Sequence, residues 1–300
     1  MNWLKKAFDS RADGFVLALS GGGGRGLAHI GVLEVLEEHD LKPDAIVGTS
    51  IGAMFGAMFA LNPDAVAVRK RVLEYIQSDF FQGLDLPILE ESDAQDDSWL
   101  SRLNSAARQT ILYTRGLTDI AYLDVQILID IVEALCPEGR FRDMQIPLSV
   151  TATRFPGGEC HIFSSGSLSL SLAGSMAIPA VFNPVEVDGA MYLDGGLASE
   201  VPAVEARMIA NENQLVVAVN TSARPDPDHP PANVMGMLDW AASVKSLYLR
   251  RHEKAHADVL IEPLVGYTQW HDFATPEDEI VKGREAALEA LPELKRQLKV

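Results

Sequence analysis

The apolar run at residues 15–20 (FVLALS) breaks off into Gly21-Gly22-Gly23-Gly24-Arg25-Gly26, and Ala28, Val32, Val35 and Leu36 then follow at helical spacing. A run this short, apolar and closed by glycine reads as a buried strand. The next segment repeats the pattern. Residues 45–47 (AIV) follow the turn Lys42-Pro43-Asp44, and residues 51–61 are apolar nearly all round. A helix without a polar face is buried. Its small residues Gly52, Ala53, Gly56, Ala57 and Ala60 let it lie close to a sheet. Strand, helix, strand and helix with short links predict a parallel sheet covered on both faces, an α/β fold.

Residues 65–138 read as mostly helical, broken by the acidic loop 90–97 (EESDAQDD). Strand signals return at 148–153, 161–164 and 185–193, the last folded on an Asp188-Gly189 hairpin turn. Residues 215–220 (LVVAVN) form another buried strand, and the proline-rich stretch 224–231 is a surface loop. A helix at 235–256, a strand at 259–262 and a helix at 276–298 complete the chain. There is no internal repeat and no linker between two cores. The expectation is one α/β domain over 14–300 behind an N-terminal extension, 1–13. Its core motifs lie in 15–220 and its C-terminal helices in 235–300.

A net charge of −17 excludes a broad basic face for nucleic acid, and argues against docking on anionic lipid by charge alone. Two cysteines, Cys136 and Cys160, make neither a disulfide framework nor a metal pattern, so a reduced, cytoplasmic setting is expected and no metal or cofactor is implied. The N-terminus has no signal-peptide core, and no apolar run is long enough to span a bilayer. Trp3, Leu4, Ala7 and Phe8 read as a frayed helix covering the core rather than as a membrane anchor. Arg69-Lys70-Arg71 and Arg250-Arg251 read as solvated helix faces. The apolar segment Phe80-Phe81, Leu84, Leu86 and Ile88-Leu89 reads as a packing element ahead of the acidic loop.

Gly21, Gly23 and Gly26 match G-x-G-x-x-G after a strand and before a helix, where a dinucleotide pyrophosphate would sit. That use wants a carboxylate at the end of the second strand for the ribose. The second strand runs instead into Val47-Gly48-Thr49-Ser50. A phosphate loop wants Gly-Lys-Ser/Thr, which Arg25-Gly26-Leu27 does not supply. The loop therefore offers its N–H groups to another anion. Gly48-Thr49-Ser50-Ile51-Gly52 is G-x-S-x-G between a strand and a buried helix, the context such a motif needs. A serine on so sharp a turn presents its hydroxyl at the C-terminal edge of the sheet, above a helix N-terminus that favours negative charge. The glycine loop opens on that same edge and can face an oxyanion beside Ser50.

A serine hydroxyl needs a proton acceptor. None of the seven histidines stands out. His252 and His256 share a helix with Arg250 and Glu253 that reads as solvated, His229 lies in the proline-rich loop, and His29 in the first helical turn. Asp194, in Leu193-Asp194-Gly195-Gly196-Leu197, is the better candidate. Asp-Gly-Gly is also a common structural turn, and an aspartate with a solution pKa of about 3.9 is a feeble base unless desolvated.

With Gly21-Gly22-Gly23-Gly24-Arg25-Gly26, Gly48-Thr49-Ser50-Ile51-Gly52, Ser175-Met176-Ala177-Ile178-Pro179-Ala180-Val181-Phe182 and Asp194-Gly195-Gly196-Leu197 in this order, the chain resembles the patatin-like phospholipases, the bacterial cytosolic members most closely. The resemblance runs over about 15–220, with an echo near 276–283. It implies a three-layer α/β/α sandwich on a mostly parallel central sheet. It implies a Ser50 nucleophile, an Asp194 base, and an oxyanion hole from Gly22, Gly23 and Gly24 with Arg25 nearby. The implied partner is a lipid or other acyl ester, with peripheral contact at a membrane surface. Two positions depart from the family pattern. Thr153-Arg154 stands where Thr-Asp is expected, and Ala173-Gly174-Ser175 where Arg-Ala-Ser is expected. Both bear on the acyl or headgroup pocket rather than on the Ser–Asp pair. Two other readings stay open beside this one: a dinucleotide-binding protein, and a regulatory adaptor in which hydrolysis is incidental.

Overall fold

The computed structural model describes residues 12–84, 120–136, 139–266 and 271–300. The proposed N-terminal helix, the acidic stretch 90–97, and Leu86, Ile88 and Leu89 lie outside the described residues. Strand β1 (Gly14–Leu19) passes through the glycine loop and a 3-10 turn, Gly23–Leu27, into helix α1 (Ala28–Glu38). Strand β2 (Ala45–Thr49) passes through Ser50 into α2 (Ile51–Leu61). Then come α3 (Ala65–Ile76), the single turn α4 (Asp79–Gln82), β3 (Ala121–Leu123) and α5 (Val125–Leu135). The next elements are β4 (Leu148–Phe155), β5 (Cys160–Phe163), α6 (Leu168–Met176), β6 (Ala180–Phe182), β7 (Val185–Val187) and β8 (Ala190–Leu193). The chain closes with α7 (Ala203–Ile209), β9 (Gln214–Val219), α8 (Val234–Lys254), β10 (Val259–Ile261) and α9 (Pro276–Leu298). Side chains of Asp64, Asp124, Ser167 and Asn233 accept from backbone N–H groups in the first turns of α3, α5, α6 and α8. Each satisfies an amide that the helix itself leaves unpaired.

The main sheet runs β10-β9-β1-β2-β4-β8-β7, and β5 also pairs with β4. The five strands from β10 to β4 are parallel; β5 and β8 run antiparallel to β4, and β7 to β8. Side-chain alternation along β1 divides the interior. Phe15, Leu17 and Leu19 face the larger core with α1 and α2, whereas Val16 and Ala18 face a smaller one with Val201, Ala203 and Ala206. Helices thus cover both faces of a mostly parallel sheet, the expected three-layer architecture. At the β7–β8 turn, Asp188 and Gly189 both have positive φ (50° and 78°), which a two-residue hairpin with the sheet's twist requires. Three features had no counterpart in the sequence pattern. These are α6, α7, and a second sheet in which β3 pairs parallel with β6.

Strand β4 is the element that places the site. Its first half pairs with β2 (Thr49 with Thr151), and β5 occupies its opposite edge from Val150 to Thr153. Strand β8 pairs with Thr153 to Phe155 (Leu193 with Thr153). Thr153 already faces β5 on one side, so β8 must lie on the side of β2. Strands β2 and β8 therefore approach head to head along one edge of β4, and the residues that follow them, Ser50 and Asp194, emerge together.

Helix α9 closes over α1. Its buried positions Ile280, Gly283, Ala287, Leu294 and Leu298 follow helical spacing. At Gly283 the helices touch through backbone, since a Cβ there would overlap the carbonyl of Ala28. Gly283→Leu should destabilise the protein by about 2 kcal/mol or more, whereas Val281→Ala, on the exposed side, should leave thermal unfolding almost unchanged.

Candidate active site

Ser50 sits at φ 52° and ψ −124°, a conformation that costs a non-glycine residue about 1–3 kcal/mol. It occupies the N-cap position of α2, but its side chain makes no cap bond. The strained backbone turns the hydroxyl away from the helix. The turn is that tight because Gly48 and Gly52 lack side chains. A Cβ on Gly48 would fall 2.6 Å from the Ala53 nitrogen, and one on Gly52 2.5 Å from the Leu19 carbonyl oxygen. Three hydrogen bonds hold the elbow: the Ser50 N–H donates to Ser175 Oγ (2.8 Å), and the Ser50 carbonyl accepts from Ala53 (2.9 Å) and Met54 (3.1 Å).

The Ser50 hydroxyl donates to Asp194 Oδ2 at 2.8 Å. The other oxygen, Oδ1, accepts from the Gly196 N–H at 2.7 Å and caps the short 3-10 turn Gly195–Leu197. Each oxygen therefore has its own task, and the carboxylate cannot rotate without losing both bonds. The backbone of Asp194 is fixed as well. Its N–H donates to the Ala177 carbonyl (2.9 Å), and its carbonyl accepts from Thr153 Oγ1 (2.8 Å). Gly195 packs on the Thr151 carbonyl. Ser50 and Asp194 are each 9% exposed. Burial pushes the Asp194 carboxyl up to about 6, opposed by its bonds to Gly196 and Ser50 and assisted by the negative charge of Glu200.

The glycine loop lies against this pair. Gly21 faces the Ser50 Cβ, Gly26 the Ile51 side chain, Gly22 the Thr221 hydroxyl, and Gly24 the Asp272 carbonyl; Gly23 has φ 58°. Arg25 is half-buried, with its charge facing Glu200, Glu279 and Arg250; burial lowers its pKa. His29 is fully buried beneath the loop, where Nε2 bonds the Ser20 carbonyl oxygen at 2.8 Å; burial pushes its pKa down to about 4. His161 stacks with Phe163 and Tyr192, His252 pairs with His256, and His229 pairs with Asp226. Phe81 packs edge-on against Tyr75 and Phe273.

One expectation is corrected. Arg250 and Glu253 are 5% and 2% exposed, not a solvated face. Their charges are buried because Arg250 pairs with Glu200 and Glu253 accepts two backbone N–H groups. Ser175 and Thr153, which hold the backbones of Ser50 and Asp194, were also not assigned these roles from sequence. Ser175 stands in a noted motif, but nothing in its spacing says that it accepts a bond from residue 50.

A family model described as patatin-like phospholipase matches residues 17–207. The chain belongs to the patatin-like phospholipase family. It is 30% identical over 193 residues to a patatin-like phospholipase domain-containing protein of Caenorhabditis elegans, a match covering 62% of this chain and 12% of that protein. It is 27% identical over 208 residues to an uncharacterised NTE family protein of Mycobacterium tuberculosis (69% and 49% covered). It is 27% identical over 210 residues to the lysophospholipase NTE1 of Saccharomyces cerevisiae (70% and 11% covered). The matched region thus spans about half or less of these relatives. The fold is also that of VipD from Legionella pneumophila, at TM-score 0.51 and 16% identity over 94% of this chain and 67% of that one. Among the described residues, no helix is long and apolar enough to cross a membrane.

In this patatin-like chain the buried carboxyl sets a pH signature on stability. The folded pKa of Asp194, about 6, lies above its ordinary value of 3.8, so the native state holds the proton more tightly. Stability from this group is full below about pH 4, falls as pH rises through about 6, and stays reduced above. Asp194→Asn keeps the shape and removes the charge. At pH 8 it should be more stable than the parent by up to about 3 kcal/mol, and at pH 4 the difference should vanish. Urea unfolding at the two pH values measures this.

Proposed function

We propose that the protein is a serine acyl-ester hydrolase of the phospholipase A, lysophospholipase or esterase type, with Ser50 as nucleophile and Asp194 as general base. The observation that carries this reading is the 2.8 Å bond from the Ser50 hydroxyl to a buried carboxylate whose pKa is pushed up to about 6. A carboxylate in this state is ionised at neutral pH and is a much stronger proton acceptor than one in water.

Ser50 Oγ attacks the ester carbonyl carbon and passes its proton to Asp194 Oδ2. The carbonyl π electrons move onto oxygen, and the N–H groups of Gly22, Gly23 and Gly24 stabilise the oxyanion. Arg25 adds positive potential behind that loop. Collapse expels the alcohol or lysolipid, which takes the proton from Asp194 and leaves an acyl-Ser50. Water then loses a proton to Asp194, attacks the acyl carbon and releases the fatty acid, and the proton returns to Ser50. The same buried pair serves both halves, so no second base is needed.

Short p-nitrophenyl esters, lysophospholipid and phospholipid form the test panel. Turnover should vanish in Ser50→Ala and fall by about 10²–10⁴-fold in Asp194→Asn. A fluorophosphonate should label the parent and not Ser50→Ala. The kcat/KM profile should lose activity as pH falls through about 6, where Asp194 takes up its proton. Labelling that survives in Ser50→Ala, or near-parental turnover in Asp194→Asn, would overturn the assignment. An intact fold without turnover on any ester would favour the adaptor reading.

A further inference from the structure

The backbone just beyond Asp194 is gripped by a helix far along the chain. The two oxygens of Glu253, on α8, accept from the N–H groups of Glu200 (3.0 Å) and Val201 (2.9 Å). Earlier on the same helix face, Arg250 donates through Nη1 to both carboxylate oxygens of Glu200 (2.8 and 2.9 Å) and through Nη2 to the Ala223 carbonyl (2.8 Å). Ser246, one further turn back, donates to Glu200 as well. Positions 246, 250 and 253 share that face by their spacing. The carbonyl of Glu200, in turn, accepts from the N–H of Gly21 at 3.0 Å, the first residue of the glycine loop. Its neighbour Ser199 donates its N–H to the Gly195 carbonyl (2.9 Å) and accepts from Thr49 Oγ1 (2.9 Å). Glu200 thus joins the loop, the tip of β2 and the Asp194 turn within one bonded network.

We propose that Glu200 is a positioning residue of the reaction: held by Arg250, Ser246 and Glu253, it keeps the glycine loop and the Asp194 turn in register, so that oxyanion donors and base meet at Ser50. This rests on the functional reading above. The cation Arg250 faces Glu200 directly, Arg25 faces it from the glycine loop, and Glu253 from α8. Burial, with the charges of Glu200 and Glu205, outweighs the two amide bonds and pushes Glu253 up to about 7. The charge of Glu200 also raises the pKa of Asp194. Removing that charge should therefore move both carboxyls downward.

The experiment is a variant series on a soluble p-nitrophenyl ester, with circular dichroism and melting curves as controls for folding. Glu200→Gln should lower kcat by about tenfold with little change in KM, because the residue touches no substrate. It should also move the acid limb of kcat/KM to lower pH, because the charge of Glu200 raises the Asp194 pKa. Arg250→Met should lower kcat similarly, Arg250→Lys should restore part of it, and the double variant with Glu200→Gln should be no slower than the slower single one. Should Arg250→Met fail to fold, Ser246→Ala carries the test. It removes one donor to Glu200, keeps the ion pair, and should lower kcat by about threefold at unchanged KM. Parental kcat and an unmoved acid limb in Glu200→Gln, parental kcat in Ser246→Ala, or independent multiplication of the single effects, would overturn the proposal alone. Absence of Ser50-dependent turnover in the parent would instead overturn the functional reading, and this inference with it.

Discussion

Everything at the site depends on one strand carrying two partners along the same edge. Strand β4 pairs with β2 up to Thr151 and with β8 from Thr153 onward. A parallel and an antiparallel strand thus meet tip to tip, with Ser50 leaving one and Asp194 the other. Backbone ladders fix strand positions far more tightly than side-chain packing can, because each residue is held by its own hydrogen bonds. The distance between hydroxyl and carboxylate is therefore set by sheet register. Thr151 and Thr153 reinforce the junction. Thr151 Oγ1 bonds Thr49 Oγ1 at 2.7 Å below Ser50, and Thr153 Oγ1 donates to the Asp194 carbonyl.

Two costs are concentrated at that junction. Ser50 holds a backbone conformation worth about 1–3 kcal/mol of strain. Asp194 holds a charge in a site that resists it. Against a typical net stability of about 5–15 kcal/mol these are large. They persist because their surroundings leave no relaxed alternative. Helix α2 is buried along almost its whole length, so it cannot shift to relieve Ser50. Ser175 takes the Ser50 N–H, and Ala177 takes that of Asp194. Both acceptors come from the end of α6 and the residue after it, so one segment restrains both Ser50 and Asp194.

The parts legible in the sequence are those whose signal is local. The glycine loop, the G-x-S-x-G elbow and the Asp188-Gly189 turn each carry their own steric reason, and the strands beside them are short apolar runs. Helix α6 was not legible because Leu168-Ser169-Leu170-Ser171-Leu172 alternates with the period of a strand. It is helical because Ser167 caps it and its buried stretch Leu172, Ala173 and Gly174 packs close to β7 and β8. Strands β3 and β6 have three residues each, too few for any periodicity. Arg250 and Glu253 were misread for a related reason. Charges on a helix look solvated unless their partner is known, and Glu200 is far from them in sequence. The meeting of Ser50 with Asp194 is also non-local, and spacing alone left it as one option among several. Four motifs in a family order singled it out.

The C-terminal third is not an appendage to the segment that defines the family. That segment ends at 207, yet β1, which bears the glycine loop, has β9 as its partner on the side away from β2. Without β9 and β10 the centre of the sheet would present an open ladder edge. Without α9, the helix that begins behind the glycine loop would lose its cover at Ile280, Gly283 and Ala287. Residues beyond 207 also supply Thr221, whose N–H bonds Ser20 Oγ at 2.9 Å and whose hydroxyl bonds the Gly21 carbonyl at 3.0 Å. The glycine loop is thus shaped from both ends of the chain. The family motifs specify which groups stand at the sheet edge, while the segment after them supplies much of the rigidity that holds those groups in place.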